Sequence, residues 1–197
     1  MNGVTTVSLV GVGGQGILLA AAVLAGTAAA EGHDVKASEV KGMSQRGGSV
    51  LSSLRFGDHV WSPVSRHADV VVGIELLEGR RGLDLLAAHG TLVCAVTTRI
   101  APGSVLRREA VYPEDLAVAA EERGVRLIAV DATDLARRAG DERAANVALL
   151  GAASVVLPFG EASWQSGIAA AVPAKALDIN QRAFALGRAV GSEEVSP

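Results

Sequence analysis

Val4-Thr5-Thr6-Val7-Ser8-Leu9-Val10-Gly11-Val12-Gly13-Gly14-Gln15-Gly16-Ile17 is the stretch whose reading decides the fold. Val4 to Val10 is a short β-branched run of the kind that suits a buried strand. It passes through a glycine cluster directly into Ile17 to Ala30, where leucine and alanine, both strong helix formers, dominate. The segment reads as strand, tight turn and buried helix. Gly11 to Gly16 satisfies G-x-G-x-x-G after a strand and before a helix, where that pattern has physical meaning. Gly11 then makes the turn, Gly13 lets a phosphate approach the backbone, and Gly16 lets helix and strand pack closely. Free N–H groups at the helix start attract an anion, so Gly11, Gly13, Gly14, Gln15 and Gly16 form a candidate cradle. The same glycines also suit a fold that holds no ligand and needs only close packing.

Gly32 ends the helix, and Val35 to Val40 reads as a second strand. A dinucleotide-binding turn is served by an acidic residue about 20 positions on. Glu39 is the nearest fit, although Lys36 and Lys41 beside it also suit a salt-bridged strand end. Lys41-Gly42-Met43-Ser44-Gln45-Arg46-Gly47-Gly48-Ser49 then packs cations, an amide, hydroxyls and glycines into one loop at the carboxyl end of a strand. Open α/β sheets place their ligands there. Arg46 can clamp a phosphate or carboxylate through paired N–H donors, with Gln45 and the glycine amides completing the cradle. Ser44 misses the spacing of a nucleophile elbow by one residue, so it is not read as a nucleophile.

Further along, Val50 to Phe56, the Gly57-Asp58 turn and His59 to Trp61 read as a hairpin. Ala68 to Ile74 is a nearly continuous apolar run, expected of a strand covered on both faces, and Glu75 to His89 has mostly helical leucine spacing. Leu92 to Val96 and Leu127 to Val130 repeat the buried-strand signal, and Pro113 with Glu114 and Asp115 opens a helix to about Arg123. Ala144 to Val156, Ser163 to Val172 and Asp178 to Val190 read as helices. The expected class is α/β: a single-domain, Rossmann-like, doubly wound and mostly parallel sheet with a helical C-terminal third.

The 197 residues, 49% of them hydrophobic and 20% charged, suit one core without staples. A net charge of -3 with both signs scattered shows no footprint for nucleic acid. The first thirty residues hold no charged side chain, but glycines and Gln15 break the apolar run, which argues against a secretory leader or a membrane span. A cytoplasmic protein is expected. The lone Cys94 cannot form an internal disulfide or hold an iron–sulfur cluster, and the four histidines lack metal-ligand spacing, so no metal site is expected. Trp164 and Phe159 are read as core.

Gly11 to Gly16, followed by Ser38-Glu39-Val40-Lys41-Gly42-Met43-Ser44-Gln45-Arg46-Gly47-Gly48-Ser49-Val50, resembles the gamma domain of the 2-oxoacid:ferredoxin oxidoreductases. Within that family it is most similar to the small (beta) subunits that act on indolepyruvate. The likeness extends to Ala68-Asp69, Glu75 and Glu78, to Asn146 before Leu149-Leu150-Gly151-Ala152, and to Asn180 with Ala183-Phe184 and Gly187. It places the domain at residues 1–190, with 191–197 as a tail. The resemblance implies a complex that decarboxylates 2-oxo acids on thiamine diphosphate, passes electrons through iron–sulfur clusters to ferredoxin, and transfers the acyl group to coenzyme A. The implied partner is a large subunit that carries the thiamine cofactor and the clusters. Gly57-Asp58-His59 and Gly140-Asp141-Glu142 both miss the G-D-G start of a thiamine diphosphate site, so this chain is expected to hold no catalytic residue and no firmly bound cofactor. Its cofactor-facing candidates are Gly11, Gly13, Gly14, Gln15, Gly16, Glu39, Met43, Gln45, Arg46, Gly47, Gly48 and Ser49. A free-standing NAD(P)- or FAD-binding reductase and a non-catalytic assembly module are the alternatives.

Overall fold

A computed structural model describes residues 3–41, 48–100 and 111–195. The expectations for Met43, Gln45, Arg46 and Gly47 therefore lie outside the described residues. In chain order the elements are β1 (Thr5–Val12), α1 (Ile17–Ala30), β2 (Asp34–Lys41), β3 (Ser49–Gly57), β4 (Ala68–Gly73), α2 (Leu76–Gly82) and β5 (Leu86–Ala95). Then follow α3 (Leu116–Glu122), β6 (Arg126–Val130), α4 (Ala132–Ala139), α5 (Ala145–Ala153), α6 (Glu161–Ala171) and α7 (Leu177–Val195). Among the described residues no helix is long and apolar enough to cross a membrane.

The strands form one mixed sheet in the order β2-β3-β1-β4-β5-β6. The pairs β1–β4, β4–β5 and β5–β6 are parallel, whereas β3 runs antiparallel between β1 and β2. The apolar run of β4 has the predicted cause: one cluster containing Val70 and Val72 packs under α1, α4, α5, α6 and α7, and another containing Val71 packs against α2 and α3. Trp164 and Phe159 are core residues, in ring contact with each other and with Phe184 and Phe56 respectively.

Three readings of the sequence are corrected. His59 to Trp61 forms no hairpin strand, because β3 already spends one edge on β1 and the other on β2. The chain instead crosses as a strap, fastened where Val60 N donates to Asp34 Oδ2 at 2.9 Å. The helix expected over Glu75 to His89 stops at Gly82, passes through a 3-10 turn at Leu83–Leu85, and gives way to β5. Leu83 and Leu86 thus share an apolar cluster without sharing a helix. The third correction is an omission, α4, whose signals were present: Asp131 caps the Asp134 N–H at 3.0 Å, and Gly140 closes the helix at φ 120°.

The C-terminal helices pack through missing side chains. At the α5–α7 crossing, a Cβ on Gly187 would collide with the carbonyl oxygen of Ala148, and one on Gly151 with that of Phe184. These backbones approach too closely for any larger residue. Gly187→Ala is expected to lower unfolding stability by about 1–3 kcal/mol through overpacking. Urea denaturation checks this, and an unchanged midpoint would contradict the crossing.

Candidate functional site

The glycine turn is built mostly from bonds to itself and its neighbours. Gly14 and Gly16 take φ 104° and 74°, a left-handed region costly to other residues. Gln15 closes the turn with its side chain: Oε1 accepts from Val12 N at 2.7 Å and Nε2 donates to Ile74 O at 3.1 Å. Gly13 N donates to Gly48 O at 2.9 Å, and Val12 lies opposite Ser49 in the β1–β3 register. The turn and the end of the Lys41–Ser49 loop, far apart in sequence, therefore meet. Glu39 stands apart from the glycine turn. It is exposed on β2, level with Leu9 of β1 but two strands away, at about 4.8 Å per strand.

The first intrahelical bond of α1 runs from Ala20 N to Gly16 O at 3.0 Å, so the amides before it have no acceptor within the helix. Asn146, 2% exposed at the start of α5, donates from Nδ2 to the same Gly16 oxygen at 2.9 Å while its Oδ1 accepts from Val147 N at 2.8 Å. A Cβ on Gly16 would strike that amide nitrogen. The starts of α1, α4 and α5 thereby surround one cleft of about 350 Å³ at the carboxyl end of the sheet. Leu19, Ile74 and Ala132 give it an apolar floor, and Thr133, Glu142 and Arg143 stand at its polar side. Arg143 pairs with Asp141 at 2.5 Å and holds that carboxyl down to about 2, leaving a guanidinium 90% exposed. Helix N-termini beside a cation suit a phosphate or carboxylate. Sequence reasoning missed Thr133 and Arg143, and the unread Asp131-x-x-Asp134 cap was the signal for that wall.

Across the sheet edge lies an acidic cluster. Ser49 Oγ donates to Glu78 Oε2 at 2.6 Å, and Arg81 Nη1 to Glu78 Oε1 at 2.6 Å, so this buried carboxylate is compensated. Glu75 is fully buried, and its Oε2 caps the Glu78 N–H at 2.9 Å while Oε1 meets no hydrogen-bond geometry among the described residues. Burial pushes the Glu75 carboxyl above its ordinary value of 4.5. Burial and the Glu75 charge push the adjacent Tyr112 phenol up to about 12.

Residues 6–190 match the pyruvate ferredoxin/flavodoxin oxidoreductase family. The chain belongs to this family. It is 39% identical to indolepyruvate oxidoreductase subunit IorB of Thermococcus kodakarensis, over 91% of this chain and 92% of that protein. IorB of Archaeoglobus fulgidus is 37% identical over 91% of each. The fold matches a keto/oxoacid ferredoxin oxidoreductase gamma subunit from Geobacter sulfurreducens with a TM-score of 0.71, at 21% identity and over 96% of this chain and 99% of that one. It also matches a 2-oxoglutarate:ferredoxin oxidoreductase from Magnetococcus marinus, solved with 2-oxoglutarate, coenzyme A and succinyl-CoA bound, with a TM-score of 0.77 at 18% identity. There it covers 98% of this chain but 32% of the other.

The donor set of this family member does not fit an iron–sulfur cluster. Cys94, its one cysteine, is fully buried, and burial followed by the Glu75 charge pushes its thiol up to about 12, far from the thiolate a cluster needs. Glu75 offers a test of the cluster around it. Its folded-state pKa is raised, so stability falls as pH rises from 4.5 through the shifted value, because ionisation then favours the unfolded chain. Glu75→Gln keeps the cap but has no proton to lose. Its stability relative to the parent should therefore improve across that window in paired denaturation curves. A difference that stays flat with pH would contradict a raised Glu75.

Proposed function

We propose that this chain is the small subunit of an indolepyruvate-type 2-oxoacid:ferredoxin oxidoreductase, acting with a large subunit in the cytoplasm. The observation that carries the reading is the 39% identity with IorB over nine-tenths of both chains. Residues 1–190 form the working domain, and α7 continues past them to Val195 with Gly191 packed on Ala152. The partner supplies iron–sulfur clusters for electron passage to ferredoxin, since the single buried thiol here does not suit one, and thiamine diphosphate for decarboxylation, since Gly57-Asp58-His59 and Gly140-Asp141-Glu142 miss the G-D-G start. What remains for this chain is recognition and assembly. Its cleft receives a phosphate-bearing portion of coenzyme A, with the start of α1 toward the anion and Arg143 at the polar side. Gly14 and Gly16 shape the approach, Gln15 fixes the turn, and Gly48 holds the Gly13 amide at its edge.

A pure assembly role is supported by one feature: the Gly13 amide is already bonded to Gly48 rather than turned outward. The dinucleotide reading is weakened by β3, which separates β2 and Glu39 from the turn. Co-purification with the large subunit under anaerobic conditions should give arylpyruvate- and coenzyme A-dependent dye reduction that neither chain supports alone. In that complex Arg143→Ala should raise the KM for coenzyme A about three- to tenfold with kcat little changed, as for an exposed charge at a binding site. An unchanged KM would leave the assembly role. Stoichiometric NAD(P) or FAD on the isolated chain would favour the reductase instead.

A further inference from the structure

The sheet has a second cavity, on the face opposite α1, that none of the roles above uses. Register aligns Ser38 of β2 with Ser53 of β3, and Ser53 with Ser8 of β1, so three serines form one row across adjacent strands. Side chains of directly opposed residues share a face and stand about 4.5–5.5 Å apart at Cβ. None of these hydroxyls has a hydrogen-bond partner among the described residues, and Ser8 is only 6% exposed. All three line a cavity of about 130 Å³, with Arg66 and His67 beside them. Arg66 likewise has no ion-pair partner among the described residues.

The wall that brings Arg66 and His67 there is fastened from below. Arg55, next to Ser53 along the strand but one, reaches up to donate from Nη1 to Ser62 O at 2.7 Å and to Val64 O at 3.2 Å. Ser65 Oγ then donates to His67 O at 2.8 Å, shaping the last turn of the strap. A buried hydroxyl without a partner costs free energy unless something accepts or donates to it. Ser8, itself 6% exposed, opens into a cavity that the exposed residue Arg66 also lines.

We propose that this cavity is a binding site for a small oxyanion, a phosphate or a carboxylate, held by the Ser8 and Ser53 hydroxyls and the Arg66 guanidinium. Hydroxyl donors and a guanidinium match oxygen acceptors of either kind, and the guanidinium supplies the opposite charge. The volume equals the liquid share of about four waters, at roughly 30 Å³ each. It suits a small anion, and it shares no lining residue with the glycine-turn cleft.

Titration of the full chain with inorganic phosphate, and separately with acetate, followed by amide chemical shifts, tests the assignment. Saturable binding is expected with shifts at Ser8, Ser53 and Arg66. Arg66→Ala should weaken it at least about tenfold and Ser8→Ala at least about threefold, as read at the Ser53 amide. Response to phosphate alone identifies a phosphate site, and response to acetate alone a carboxylate site. Either result with that variant pattern supports the proposal. Absence of saturable binding to both anions, or binding at the Ser53 amide that does not depend on Arg66, overturns it.

Discussion

The side chain of Gln15 is the tie on which the candidate site depends. β1 and β4 are the adjacent parallel strands from which the chain departs to opposite faces, α1 packing on one side and α2 on the other. Strand ends at such a parting leave backbone groups unpaired and a crevice between them. Gln15 satisfies one group on each side, the Val12 N–H and the Ile74 C=O. Losing a part-buried bond of this kind and stranding its partner costs about 1 kcal/mol. The tie also fixes where α1 begins, and with it the direction of the helix amides that open on the cleft.

The other wall comes from residues far along the chain. Asn146 reaches Gly16 across 130 positions, and α5 can be there only because its opposite side packs backbone to backbone on α7 at Gly151 and Gly187. The cleft is thus formed by one local turn and one distant helix pair, locked by a single amide. A change at the α5–α7 crossing would be transmitted to the cleft through Asn146, because a close-packed interface has no slack to absorb a displaced helix. Packing and site geometry are one problem here.

The sequence is legible where the physics is local. The strand–turn–helix unit from Thr5 to Ala30 follows from β-branching, glycine placement and helix propensity, and α1 has the predicted bounds Ile17 and Ala30. Legibility ends where an element's fate depends on an edge elsewhere. His59 to Trp61 has strand character, yet the edge of β3 that it would need belongs to β2. Leu83 and Leu86 keep helical spacing with Leu76, but the strand register against β4 captures the chain first, with Leu86 opposite Ala68. Glu39 sits at the right sequence distance for a ribose contact, and only the insertion of β3 shows that distance in sequence and distance in space diverge. Arg143 had no periodic pattern to announce it, since its place follows from how α4 and α5 meet.

That same antiparallel insertion gives the two faces of the sheet different chemistry. On the α1 side Val7, Leu9, Leu54 and Phe56 are buried under helices, so the wall there is apolar and the polar contribution comes from helix ends. On the other side α2 and α3 pack against the β4–β5 portion, while β1 and β3 continue beyond them under the strap from Asp58 to His67. A strap brings irregular backbone and polar side chains where a helix would bring an apolar stripe. Small hydroxyl residues at Ser8 and Ser53 are compatible with such a cover, because they leave room beneath it and keep polar atoms directed at it. The departure from an all-parallel sheet therefore moves Glu39 away from the glycine turn and, in the same step, creates a polar concavity on the far face.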